Sequence, residues 1–192
     1  MSLRAGDPAP LFTVRDLLGR TIALRECFGS PVMLALYRSA PCPLCNLRLW
    51  YLLRRHMRLY NYVLRLLVFF DSEPQHARAD LDRFATTVPL IADRGQGVFD
   101  RYHPHSSLPT ALITRFRRRR TYEEARAAGV GARTFAENIG AFDGDLGLLP
   151  AEFLLTPTLP IARAHYGKDT GDFLPFGEID AFVCQHARAP SR

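Results

Sequence analysis

Two cysteines three positions apart, Cys42 and Cys45, stand between a wholly apolar run and a long amphipathic segment. The run Val32–Leu36 is typical of a strand that is buried on both faces of a sheet. The segment from Pro43 to about Tyr60 repeats its apolar residues at helical spacing, and proline suits the first position of a helix. This order predicts a strand, a tight turn and a helix that begins at the two thiols. A C-x-x-C pair in that setting is typical of a redox site.

The two thiols have different predicted roles because they occupy different places on the helix. Cys42 is expected at the N-cap, where unpaired backbone N–H groups and the helix dipole stabilise a thiolate. Arg38, at the end of the strand, adds a positive charge in this prediction. We therefore predict that Cys42 is the nucleophile. Cys45 lies one turn deeper on the same face, and we predict that it is the resolving thiol, which closes a Cys42–Cys45 disulfide.

Two other interpretations of the cysteines stay open. Free cysteines are often ordinary buried core residues. A tetrahedral zinc site needs four ligands, usually from a second close pair of Cys or His residues. Here Cys27 and Cys184 stand alone, while His103 and His105 fall in a region that we interpret as an insertion. We predict neither a metal nor an organic cofactor.

The remaining sequence predicts one α/β domain over residues 1–192, with a mixed sheet and helices on both of its faces. Short β-type runs at Phe12–Val14 and Thr21–Leu24 predict an N-terminal hairpin. Residues 103–148 predict an insertion with one or two short helices and a long loop. Other predicted strands and helices are the strands Leu64–Phe70, Val88–Ala92, Glu152–Leu155 and Ile161–Tyr166, and the helices Glu73–Ala85, Gln96–Tyr102 and Glu178–His186. On the first helix, Arg48, Arg55 and Arg58 are predicted to line the solvent side.

Composition limits the classes of partner and compartment. The chain has 192 residues, of which 47% are hydrophobic and 23% are charged, and this balance is that of an ordinary globular protein. No apolar run reaches the ~18 residues of a bilayer span, and no signal-peptide core is visible. We therefore expect a cytoplasmic protein without a membrane partner. The net charge is +6, but aromatic residues are not interleaved with Arg117–Arg120, so no nucleic-acid partner is predicted.

The motif Tyr-Arg-x-x-x-Cys-Pro-x-Cys-Asn at Tyr37–Asn46 resembles the peroxiredoxin-like branch of the alkyl hydroperoxide reductase/thiol-specific antioxidant (AhpC/TSA) family, within the thioredoxin superfamily. Gly6–Pro10, Pro89–Asp93, Leu149–Leu155 and His165–Asp169 are similar to other stretches of that family. The resemblance implies a thioredoxin-like fold, in which helices flank a mixed central sheet, with an N-terminal β-hairpin and a helical insertion.

The resemblance also assigns roles to single residues. Cys42 matches the peroxidatic cysteine. Ser39 stands where peroxiredoxins place a threonine, and its hydroxyl is expected to hydrogen-bond a peroxide or the thiolate. Pro150 matches the cis-proline that lies opposite the disulfide and guides the partner chain. Pro41, Pro150 and Trp50 are predicted to border the substrate.

These features predict a thiol–disulfide oxidoreductase or a thiol-dependent peroxidase. Its substrate would be a peroxide or a disulfide, and a thioredoxin- or glutathione-type thiol would reduce the product. The resemblance alone predicts a homodimer. The alternative is a non-catalytic redox switch or binding module, whose cysteine pair oxidises but turns over poorly. A zinc-dependent structural module is the third possibility, and it predicts loss of folding with a chelator.

Overall fold

The computed structural model describes residues 2–60, 63–82, 84, 86–130 and 143–186. The strands in this part of the chain are β1 Thr13–Arg15, β2 Thr21–Ala23, β3 Val32–Tyr37, β4 Arg65–Phe70, β5 Leu90–Ala92, β6 Ala151–Leu155 and β7 Ile161–Tyr166. The α-helices are α1 Pro43–Arg55, α2 Pro74–Leu81, α3 Val98–Tyr102, α4 Leu108–Arg117, α5 Arg119–Ala127 and α6 Phe176–His186. A short 3-10 helix, Leu24–Cys27, follows the hairpin.

The central sheet has five strands in the order β5-β4-β3-β6-β7. Strands β3, β4 and β5 are parallel, whereas β6 and β7 run antiparallel to their neighbours. Strands β1 and β2 form the separate two-stranded hairpin that the sequence predicts. All six residues of β3 are buried, as the continuous apolar run requires of a central strand. The predicted mixed thioredoxin-like sheet is confirmed.

The two faces of the sheet carry separate cores, because alternate residues of each strand point to opposite sides. Met33, Ala35 and Tyr37 of β3 face one core, which includes apolar side chains of α1, α2, α5 and α6. Val32, Leu34 and Leu36 face the other core, which includes side chains of the hairpin and of α3. Helices therefore cover both faces, as predicted.

Several predicted boundaries and faces need correction. The α-helix that begins at Pro43 ends at Arg55, and one turn of π-helix, His56–Tyr60, completes the predicted length. The second helix ends at Leu81, short of the predicted Ala85, which lies outside the described residues. Arg48 is buried, and does not line the solvent side, because β6 and the chain before α6 cover that part of α1.

The described part of the predicted insertion contains two helices, α4 and α5, which agrees with the one or two short helices expected there. Helix α5 packs against α1, and Ala125 on α5 is fully buried in the core of the α1 face. The run Arg117–Arg120 spans the junction of the two helices, where Arg118 pairs with Asp169. Residues 131–142 of the insertion lie outside the described residues. No helix in the described part of the chain combines the length and apolarity of a bilayer span.

Candidate active site

The turn between β3 and α1 carries the two cysteines at the carboxyl end of the central strand. Cys42 is the N-cap of α1, with φ −64° and ψ 114°, and Pro43 takes the first helical position. The backbone N–H of Cys42 donates to the carbonyl of Ser39 at 3.0 Å. This local geometry confirms the predicted strand, turn and helix, and it places the Cys42 side chain where helix N-terminal amides converge.

The two sulfur atoms lie 2.9 Å apart, and the Cys45 thiol donates a hydrogen bond to Cys42 Sγ. A disulfide is about 2.05 Å long, so the pair is unbonded and a movement of about 1 Å closes the bond. Both cysteines are free thiols with no exposed surface. The two cysteines are therefore unbonded and closed to solvent.

The surroundings of the pair favour the thiolate of Cys42 and disfavour that of Cys45. Burial opposes ionisation of Cys42, but three effects outweigh it: the hydrogen bond from Cys45, the positive charge of Arg38, and the backbone N–H groups of Cys45 and Leu44. Together they lower the pKa of Cys42 to about 6. Burial and the neighbouring Cys42 raise the pKa of Cys45 well above its usual value. One thiol is thus acidic while the other keeps its proton.

Arg38 and Ser39 lie beside the thiols, but their contacts include groups that the sequence did not indicate. The buried Arg38 guanidinium donates to the carbonyl of Leu146, in the segment that leads from the insertion to β6. The Ser39 hydroxyl donates to Asp143 at 2.7 Å and contacts Ser72 at 3.1 Å. The Ser39 hydroxyl thus donates to a carboxylate here, and its hydrogen bond to a peroxide or to the thiolate stays a prediction.

Asp143 is the centre of a polar network that sequence reasoning missed. Its Oδ1 accepts from the hydroxyls of Ser39 and Ser72, and its Oδ2 accepts from the backbone N–H of Glu73 at 2.8 Å. His76 Nδ1 lies 3.0 Å from the same Oδ2. Burial opposes ionisation of this carboxyl group, but the hydrogen bonds outweigh it and lower the pKa of Asp143. Nothing in the sequence around position 143 separates this residue from the other polar residues of the insertion.

A second missed network lies on the α1 side of the sheet. Glu152 on β6 is fully buried and accepts from the Tyr37 hydroxyl at 2.6 Å and from the Leu174 N–H at 2.8 Å. Arg48 on α1 donates to both oxygens of Glu152, at 3.0 and 2.8 Å, and to the Leu174 carbonyl. Its guanidinium lies 4.1 Å from the centroid of the Phe176 ring. The sequence does carry a signal for this network: a glutamate within the apolar run of β6 indicates a buried carboxylate, and a buried carboxylate needs a cationic partner.

The three residues predicted to border the substrate occupy different places. Pro41 is buried within the turn that precedes Cys42. Pro150 directly precedes β6, whose register pairs Ala151 with Leu36, so it lies beside the end of β3. Trp50 is half-buried on α1, with the Arg54 guanidinium 4.5 Å from its ring centroid. Trp50 follows Cys42 by eight residues, or about 12 Å along the helix axis. The substrate contacts of all three stay predictions.

The expected cis bond at Pro150 is wrong, because no peptide bond among the described residues is cis. The chain reaches β6 in a trans form, with Leu149 N–H bonded to the carbonyl of His105 and the Pro150 carbonyl bonded to Gly167 N–H. Cys27 is buried, and Cys184 is exposed on α6. Within the described ranges, no three His, Cys, Asp or Glu side chains are grouped as metal ligands.

The fold and the paired thiols are those of thioredoxin-like proteins that carry a C-x-x-C turn after the central strand. Residues 5–122 match the AhpC/TSA family. This match covers more than half of the chain, and the chain belongs to the AhpC/TSA family.

Known proteins similar to this chain include thiol-disulfide oxidoreductases and peroxiredoxins. The thiol-disulfide oxidoreductase ResA of Halalkalibacterium halodurans is 28% identical over 111 residues, which are 57% of this chain and 62% of that protein. The match therefore spans about three fifths of the length of that curated relative.

Solved structures of low identity share the fold. A peroxiredoxin-like protein from Aquifex aeolicus has a TM-score of 0.65 and 13% identity, with 97% of this chain and 90% of that chain covered. Peroxidoxin BcpB from Mycobacterium tuberculosis has a TM-score of 0.64 and 12% identity, with 97% and 99% covered. A thiol peroxidase from Chromobacterium violaceum has a TM-score of 0.60 and 18% identity, with 96% and 88% covered.

Proposed function

We propose that this protein is a thiol-dependent oxidoreductase in which Cys42 is the attacking thiolate and Cys45 is the resolving thiol. The observation that carries this proposal is the asymmetry of the pair, since an acidic buried thiol lies 2.9 Å from a thiol that keeps its proton. Membership of the AhpC/TSA family and the similarity to a thiol-disulfide oxidoreductase support the same chemistry.

With a disulfide substrate, the Cys42 thiolate attacks one sulfur, forms a mixed disulfide and expels the other half as a thiolate. Cys45 then loses its proton and attacks Cys42 Sγ. This step closes the Cys42–Cys45 disulfide and releases the second half of the substrate, so that the substrate gains two electrons. With a peroxide, the Cys42 thiolate attacks one peroxide oxygen, the O–O bond breaks, and Cys42 becomes a sulfenic acid as an alcohol or water leaves. Cys45 then condenses with the sulfenic acid, which forms the Cys42–Cys45 disulfide and releases one water.

The raised pKa of Cys45 suits its role as the resolving thiol. A resolving thiol that ionised early would compete with Cys42 for substrate, whereas a protonated one donates its hydrogen bond to the Cys42 thiolate and stabilises it. When Cys42 is consumed in the mixed disulfide, this bond is lost and the proton of Cys45 is free to leave. The two thiols are thereby used in sequence.

The test is a single turnover of the reduced protein. Stoichiometric hydrogen peroxide or a small disulfide is added in separate experiments, and thiols are counted by mass over time. We expect fast loss of two thiols, no loss in Cys42→Ser, and a trapped sulfenic acid or mixed disulfide in Cys45→Ser. Cys184→Ser is the matched control, because it removes an exposed thiol outside the site. Loss of two thiols in Cys42→Ser would contradict the assigned roles.

A redox switch is the second candidate, and the complete burial of both cysteines is the observation that favours it. A protein-disulfide substrate reaches Cys42 only after local movement, whereas a small oxidant needs a smaller opening. A switch is expected to oxidise once and then to be reduced slowly, so repeated turnover with an added dithiol separates the two candidates.

We propose a thioredoxin- or glutathione-type reductant, a cytoplasmic location and a homodimer, on the family resemblance and composition given above. Sedimentation of the purified protein tests the dimer. Comparison of thioredoxin and glutathione in the turnover assay tests the proposed class of reductant.

A further inference from the structure

Asp143 has no role in the thiol chemistry above, yet it is held by more hydrogen bonds than an ordinary surface carboxylate. Its side chain is 10% exposed. Three bonds of 2.7 to 2.8 Å reach it from Ser39, Ser72 and the Glu73 N–H, and His76 lies 3.0 Å away. The donors come from the turn after β3, the loop after β4 and helix α2. Asp143 therefore joins three separate parts of the fold beside the thiol pair.

The direction of these bonds links the carboxylate to the backbone of the active-site turn. A hydroxyl carries one proton and two lone pairs. Because Ser72 gives its proton to Asp143, its lone pairs are available to the Ala40 N–H, which donates to it at 2.8 Å. On the other side of the same residue, the Ala40 carbonyl accepts from Asn46 Nδ2 at 2.9 Å. Both polar groups of the Ala40 backbone are thus held by buried side chains.

We propose that Asp143 is a positioning residue for Cys42, which acts through the hydroxyls of Ser39 and Ser72 to fix the turn that carries the nucleophile. This inference deepens the proposed function and rests on it. The carboxylate sets the direction of both hydroxyls, Ser72 holds Ala40, and the Ser39 carbonyl holds the Cys42 N–H at 3.0 Å.

Fixing the turn has a chemical consequence at the sulfur. The Cys42 thiolate is stabilised partly by the N–H groups of Leu44 and Cys45, which point at Sγ only while Cys42 stays in its N-cap position. If the turn relaxes, these bonds lengthen and the thiolate loses stabilisation. Removal of the Asp143 negative charge alone has the opposite effect, because it favours a nearby anion. The two explanations therefore predict shifts of opposite sign.

The experiment measures the pH dependence of Cys42 alkylation by iodoacetamide in the full chain, with Cys184→Ser as the common background. The variants are Asp143→Asn and Ser72→Ala. Asparagine cannot accept from both serines and also from the Glu73 N–H, and the alanine variant leaves the Asp143 charge in place. We expect the pKa of Cys42 to rise by about one unit in both, so that alkylation at pH 6 slows about fivefold if the starting pKa is about 6.

Asp16→Asn is the matched control. Asp16 is a buried carboxylate that accepts from the Leu18 and Arg20 N–H groups, but it lies in the β1–β2 hairpin. We expect this variant to lower the melting temperature without moving the alkylation profile.

Three results would overturn the inference. A fall in the pKa of Cys42 in Asp143→Asn, with no change in Ser72→Ala, would show that Asp143 acts through its charge. A lower melting temperature with an unchanged profile in both variants would show a structural role only. If Asp143→Asn does not fold, an unchanged alkylation profile in Ser72→Ala is enough to overturn the inference. A Cys42 pKa near 8.5 in the protein with Asp143 intact would instead count against the proposed function. This measurement uses no Asp143 variant, so the two failures are distinguishable.

Discussion

The buried pair of Arg48 and Glu152 allows a sharp prediction about stability. The Glu152 carboxylate receives four hydrogen bonds, two of them from Arg48, and neither side chain is more than 6% exposed. Arg48→Met removes two of the four donors and leaves a buried negative charge without its cation. Breaking a buried ion pair in this way costs about 3–5 kcal/mol. This loss is a large part of the ~5–15 kcal/mol that stabilises a typical domain.

The same substitution about two turns further along α1 gives the matched control. Arg55 pairs with Asp180 at 2.8 Å, but the two side chains are 37% and 35% exposed. An ion pair that solvent reaches contributes about 0–1 kcal/mol, so Arg55→Met should destabilise the protein much less. Both arginines also lie over the Phe176 ring, so loss of that contact is common to the two variants.

Urea unfolding followed by Trp50 fluorescence measures both variants against the wild type. We expect a lower transition midpoint for Arg48→Met with an unchanged dependence on urea, since the unfolded surface is the same. Equal losses in the free energy of unfolding for the two variants would contradict this prediction, because they would show that burial adds nothing to the pair.

Three further predictions follow from single contacts. Arg38→Met should raise the pKa of Cys42, because the guanidinium charge lowers it, and thiolate absorbance against pH measures the shift. Gly144→Ala should lower the free energy of unfolding in urea by about 1–3 kcal/mol, because an added Cβ would clash with the Asp71 carbonyl. Its control is Gly177→Ala in α6, where no atom lies within 4 Å of an added Cβ, and this variant should raise the free energy of unfolding by up to about 1 kcal/mol. The lowered pKa of Asp143 contributes stability that is complete above the ordinary aspartate value of 3.8 and is lost as pH falls below it, so Asp143→Asn should flatten acid unfolding curves.

The central part of the fold was predictable because its signals are local. The apolar run Val32–Leu36, with a proline at the first helical position after the turn, predicts β3 and α1, and both are confirmed. The position of Cys42 at the helix start follows from the same few residues. Its low pKa was therefore predictable in direction, since helix N–H groups and Arg38 are close in sequence.

The contacts that surround the thiols were not predictable because their partners are distant in sequence. Asp143 lies 104 residues from Ser39, and Glu152 lies 104 residues from Arg48. Helical spacing predicts Arg48 on the solvent side of α1, and the carboxylate on β6 explains why it is buried instead. The cis bond expected at Pro150 was carried over from a resemblance, and it is absent from this chain.

The pH dependence of Cys42 reactivity shows directly whether Cys42 is the attacking thiolate. The rate of alkylation by iodoacetamide is measured from pH 4 to pH 9 in Cys184→Ser, and the modified residue is identified by mass. We expect Cys42 to be modified first, at a rate that rises with a midpoint near pH 6. A midpoint of 8 or above, or earlier modification of Cys45, would contradict the assignment of Cys42 as the attacking thiolate.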